Sequence, residues 1–154
     1  MSRDHDLESL AGFERRLRSG EWSPDSPPTQ EIVCGGRAVS VRFMPDKADL
    51  EEGKVICRTD IARVKQWPAD ALCRLLMQAN NLWAGTSGST LGLRDDDILM
   101  LSISRRLGSI SVTTLDNMIR VLCSDAENWS GRLAAAPRKE PEPAQFQYAM
   151  HMRA

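Results

Sequence analysis

Near the C-terminal end of the chain, Leu115, Met118, Ile119, Leu122, Ala126, Trp129 and Leu133 recur at spacings of three and four. That recurrence predicts one helix of about five turns with a single continuous apolar stripe. Thr113 and Asp116 have the spacing of a capping box and place its start. A helix of this kind owes its stability to the face it packs on, so the rest of the chain has to supply a matching apolar surface.

Short strand-like runs supply it. Residues 31–34, 38–44 and 54–59 read as three strands, with Gly35-Gly36 as the turn between the first two. In the second run Val39, Val41 and Phe43 alternate with Ser40 and Arg42, the period of two expected when one face of a sheet is buried. The acidic stretch 45–53 loops out. Two further runs, 90–93 and 98–104, read as a hairpin joined by Arg94-Asp95-Asp96-Asp97.

Two more helices complete the order. Residues 4–18 carry Leu7, Leu10, Ala11, Phe13 and Leu17, and Arg15, Arg16 and Arg18 crowd the last turn, where cations suit the helix dipole. Pro24, Pro27 and Pro28 make 19–29 a loop. Pro68 suits the first turn of the next helix, which continues through Leu72, Leu75, Leu76, Ala79, Leu82 and Trp83 until Gly85 and Gly88 stop it. The expected fold is α+β, in the order α-β-β-β-α-β-β-α: an antiparallel twisted sheet of about five strands with three helices. Residues 1–133 form the single domain, and 134–154, with Pro137, Pro141 and Pro143, form a flexible tail.

Composition narrows the function. A chain of 154 residues is the size of one domain, and its 20 Lys and Arg against 21 Asp and Glu give a net charge of -1. No overall positive field draws phosphate backbones or anionic membranes, so nucleic acid is not expected as a partner. No apolar run reaches the roughly 20 residues that cross a bilayer, and the first residues are too polar to open a secretory signal, so a cytoplasmic location is expected. Cys34, Cys57, Cys73 and Cys123 form no CxxC pair and read as reduced packing thiols.

Catalytic chemistry lacks anchors. The two histidines, His5 and His151, lie near the chain ends, where a Ser–His–Asp or Cys–His arrangement is hard to build. Gly85-Thr86-Ser87-Gly88 lacks the Gly-Lys-Ser/Thr ending of a phosphate loop and follows a helix instead of opening one. Asp95, Asp96 and Asp97 lack the alternation and later glutamate of a calcium loop. Arg15-Arg16-Arg18 and Arg105-Arg106 read as solvated faces. No enzyme activity, metal or cofactor is expected.

The apolar pattern exceeds what one chain needs. On the second helix Leu72, Leu76, Ala79 and Trp83 form the main stripe, Leu75 and Leu82 flank it, and Cys73 and Met77 widen the arc past half the circumference. A helix resting on one sheet needs less, so a second contact is expected, here the same helix of a second copy. In the last strand Leu99, Leu101 and Ile103 line one face, while Ile98 and Met100 put apolar groups on the other, for a partner subunit or a bound guest chain.

Leu75-Leu76-Met77-Gln78-Ala79-Asn80, then Ser87-Gly88-Ser89-Thr90-Leu91-Gly92-Leu93, then Leu99-Met100-Leu101 after an acidic turn, and the last helix with Trp129, occur in the order seen in one known family. The stretch 75–133 resembles the class I type III secretion chaperones, the CesT-like or Tir-chaperone family. The resemblance implies a homodimer that holds the N-terminal chaperone-binding region of a secreted effector in an extended, non-globular form, with the export ATPase of the secretion apparatus as a candidate partner. It points to Leu72, Leu76, Met77, Trp83, Leu91 and Leu93 for the dimer contact. For the effector it points to Leu7, Leu10, Phe13, Leu17, Val39, Val41 and Phe43, with Ile98 and Met100 on the sheet. The first helix lacks the family's leucine-glycine ending, and the following loop is richer in proline than is usual there. A regulatory module of the same fold that sequesters one folded partner is the alternative reading.

Overall fold

The computed structural model describes residues 2–46, 52–81, 87–95 and 97–135. Helix α1 (Ser2–Ser19) leads through the proline-rich loop to strands β1 (Thr29–Cys34), β2 (Arg37–Met44) and β3 (Lys54–Arg63). Helix α2 (Ala69–Asn80) then precedes β4 (Thr90–Arg94) and β5 (Ile98–Arg106), and a 3-10 turn at Leu107–Ser109 joins β5 to α3 (Val112–Ala135). The element order and the α+β class are those expected from the sequence. The expected tail beyond 135, the expected helix extension through Leu82 and Trp83, and most of the acidic loop lie outside the described residues.

The five strands form one antiparallel sheet in the order β1-β2-β3-β5-β4. Connection through α2 carries the chain past the place of β5, which then returns to pair with β3 along nearly its whole length. A bulge between Asp60 and Ala62 breaks the alternation on β3. That break explains why the strand outruns the expected 54–59.

One sheet face carries Ile32, Val39, Val41, Phe43, Val55, Cys57, Leu99, Leu101 and Ile103, all buried. Against it lie Leu10, Phe13 and Leu17 of α1, together with Leu115, Met118, Ile119, Leu122, Ala126 and Trp129 of α3. Burying each Leu or Phe stabilises the fold by about 1.5–3 kcal/mol. The first helix is tied to the last at two points: Val112 N–H donates to Glu14 Oε2 at 3.2 Å, and Arg18 donates to the Ile110 carbonyl at 2.9 Å.

The start of α3 corrects the expected cap. Ser111, not Thr113, accepts from the Thr114 N–H, at 3.2 Å, while Asp116 pairs with Arg120 one turn on. Both pairs have suitable spacing, and a Ser at 111 takes the capping position one turn ahead of the apolar stripe. Gly53, where β3 begins, is fixed by space: a Cβ there would meet the Phe43 ring and the Met44 carbonyl.

Candidate protein-interaction site

Helix α2 is covered on one side only. Leu72 and Ala79 are buried, Leu75 and Leu76 are half-buried against the core, and Cys73 is exposed. Met77 is 75% exposed, and Leu93 on the neighbouring edge strand is 38% exposed. A recess of about 480 Å³ between the helix and the strand is lined by Trp67, Leu72, Cys73 and Leu93, with Lys65, Asp95 and Asp97 at its polar side. An apolar strip therefore runs from α2 across to β4, rimmed by charge, the usual composition of a protein-binding patch.

Of the residues expected at a dimer contact, Met77, Leu93 and the half-buried Leu76 reach this strip. Leu72 and Leu91 are core side chains of this chain that support the strip from beneath. Trp83 falls outside the described residues.

Two polar braces hold the strip in shape. The Asn80 side chain donates to the Leu91 carbonyl and accepts from the Leu91 N–H, both at 2.9 Å, so the amide stands in for a strand partner on the edge of β4. At the entry to β4, the buried Asp125 of α3 accepts from Ser87 N–H at 2.9 Å and from Ser89 Oγ at 2.7 Å. Asparagine and aspartate can do this because each offers a short, planar group to backbone donors.

The residues expected to meet a guest chain divide in two. Leu10, Phe13, Leu17, Val39, Val41 and Phe43 lie inside the core between α1 and the sheet, where they serve internal packing. The sequence pattern could not separate the two uses, since a strip that binds a helix of its own chain and one that binds a guest look alike. Leu7 is half-buried on α1. Ile98 and Met100, also half-buried, point to the opposite face of the sheet.

That opposite face carries no described helix. Its outward positions include Glu31, Ser40, Arg42, Arg58, Asp60, Arg94 and Met100, and a shallow depression of about 400 Å³ runs among most of them. Arg94 is paired with Asp60 and Asp95, which raises its pKa, chiefly through the hydrogen bond to Asp60. Of these arginines only Arg42 has a signal in the sequence, as the polar half of the alternation in residues 38–44.

Cys57 and Cys123 are buried packing groups. Burial, with Cys123 nearby, pushes the Cys57 thiol up to about 12, and burial together with a contact to Cys34 pushes Cys123 up to about 12. Neither forms the thiolate that nucleophilic chemistry needs near neutral pH. Among the described residues no group of three or more His, Cys, Asp or Glu gathers to hold a metal, and no helix is long and apolar enough to cross a membrane. The two open surfaces suit the binding of polypeptide: an apolar helix or strand on the α2–β4 strip, and an extended segment over the sheet.

The family model of the Tir chaperone protein (CesT) family matches residues 49–130. That span takes in β3, α2, both strands of the hairpin and most of α3. No curated protein matches the chain. Among solved structures, a chain of the ExsC-ExsE complex is similar with a TM-score of 0.58 at 16% identity, over 89% of this chain and 98% of that one. A chain of the HopA1-SchA chaperone-effector complex is similar with a TM-score of 0.51 at 18% identity, over 85% and 98%. At these identities the likeness is one of fold.

Proposed function

Since the chain belongs to the Tir chaperone protein (CesT) family, we propose that it is a cytoplasmic chaperone that works as a homodimer. In this reading it binds the N-terminal chaperone-binding region of one or more type III secreted effectors and keeps it non-globular and ready for export. The observation that carries the reading is the exposed strip of Met77 and Leu93 beside Leu76 and Cys73, lying inside the family match. A monomer gains nothing from leaving a methionine 75% exposed on a helix otherwise packed on its core, whereas a second copy of the same strip covers both.

Binding an unfolded segment costs that segment conformational entropy, which burial of apolar side chains has to offset. The surfaces available for this are the sheet face around Ile98 and Met100 and the flank of α1 at Leu7. Core residues such as Phe13 and Phe43 contribute by holding these surfaces rigid. Nucleotide hydrolysis plays no part in this scheme.

Co-expression with candidate effectors from the native bacterium tests the proposal. The expected result is a complex containing two copies of the chain, in which one N-terminal effector segment resists proteolysis. Failure to protect any effector segment, with the partner instead captured as a folded domain, would overturn the export-chaperone reading in favour of a sequestering module.

A further inference from the structure

The open face of the sheet concentrates positive charge although the chain as a whole carries -1. By strand register Arg42 stands opposite Ile56, Lys54 and Arg58 flank Ile56 on β3, and Ser104 faces it from β5. Ile56 is only 8% exposed on a face that no described helix covers, and long charged neighbours of this kind can lay their aliphatic stems over apolar surface. Lys54 in turn stands opposite Arg106.

Ion pairing separates these cations into two groups. Arg63 and Arg94 are matched by Asp97 and Asp60. Arg42, Lys54, Arg58 and Arg106 form no ion pair among the described residues. Glu31 shares the central depression with Arg58, and Asp46 and Glu52 share a recess with Lys54 and Arg106. Arg42 and Arg58 are both exposed. They are the least compensated of the set.

We propose that this face binds an acidic, extended polypeptide segment across the Arg42–Ile56–Arg58 belt. Along one strand face, residues two apart lie about 6.4–6.8 Å from one another. Lys54 and Arg58 thus stand as exposed cations at a fixed pitch, with the largely covered Ile56 between them. An extended segment with acidic, apolar and acidic side chains at alternate positions has the same pitch and the opposite sign, which steers encounter and sets register. Nucleic acid fits less well: the outward strand positions hold no aromatic ring on which a base could stack. The proposal rests on the chaperone reading only for the origin of the segment, which would be the client.

Fluorescence anisotropy on the full chain tests it, with a labelled synthetic peptide of Glu-Ser-Val-Ser repeats, its Lys-Ser-Val-Ser counterpart and an oligo-dT strand as probes. The expected result is binding of the glutamate peptide that weakens with added salt, and that falls about tenfold or more in Arg42→Glu/Arg58→Glu. Arg42→Gln/Arg58→Gln, which adds no repulsion, is expected to lie between; it serves as the test if the reversed variant loses its thermal transition. Equal binding of the lysine peptide, tighter binding of oligo-dT, or an unchanged affinity in the folded variants would overturn the proposal. Effector capture that survives Arg42→Glu/Arg58→Glu would sink the acidic-segment proposal and leave the chaperone reading standing. Charge-dependent peptide binding without any effector captured would do the reverse.

Discussion

Asn80 and Leu91 are joined by a reciprocal pair of hydrogen bonds, side-chain amide to backbone, each 2.9 Å long. The last turn of α2 is thereby fastened to the edge of the sheet, and the α2–β4 strip behaves as one surface. Asn80→Ala removes both bonds and leaves the Leu91 backbone to water. The expected cost is about 1–3 kcal/mol in urea unfolding, with faster amide exchange at Leu91 than anywhere on β3. An unchanged exchange rate at Leu91 would show that the amide is not what holds the edge.

Asp125 offers a single carboxylate oxygen to the Ser87 N–H and the Ser89 hydroxyl from a site that is 5% exposed. Hydrogen bonds to a charged acceptor contribute about 1.5–3 kcal/mol each. Asp125→Ala is expected to destabilise the fold by about 3 kcal/mol. Asp125→Asn, which keeps one acceptor oxygen, is expected to cost less. Chemical denaturation of the three proteins side by side is the measurement.

Met77 meets solvent, so replacing it does little to the isolated fold. Under the proposed homodimer, Met77→Glu is expected to halve the mass seen by light scattering, because a charge placed at an apolar contact between copies has no partner there. Leu93→Glu is expected to do the same from the other side of the strip. A dimer of unchanged mass in both variants would remove the α2–β4 strip from the assembly.

The Cys57 thiol titrates near 12 in the fold against 9.0 for a free cysteine. The folded state therefore holds its proton where the unfolded chain has lost it, and stability is complete below about pH 9 and falls as pH rises toward 12. The loss is about 1.4 kcal/mol per pH unit for each such thiol. Cys57→Val is expected to flatten the decline of the urea midpoint between about pH 9 and 10.5.

Periodicity made the architecture legible. The stripe through Leu115 and Trp129 and the alternation through Val41 and Phe43 each specify one buried face, and two such faces have few ways to meet. What stayed hidden depends on neighbours far along the chain. Nothing local distinguishes Phe13, which α3 and the sheet enclose, from a side chain kept for a guest. Nor does the sequence around Arg42 reveal that β3 brings Lys54 and Arg58 alongside it, because that proximity arises only from the Arg42–Ile56 register. The bulge at Asp60 likewise has no local signal in β3, where Val55, Ile56 and Cys57 already run without alternation.

The link from Glu14 to Val112, with Arg18 reaching the Ile110 carbonyl, joins segments almost a hundred positions apart. Since chains emerge from the ribosome in order, α1 can meet β1 early but waits until nearly everything else has been made before α3 arrives beside it. Until then α1 covers only part of the greasy side of the nascent sheet. A protein whose proposed task is to shelter unfinished chains is itself exposed during its own synthesis, and pausing translation just before α3 should leave an aggregation-prone fragment.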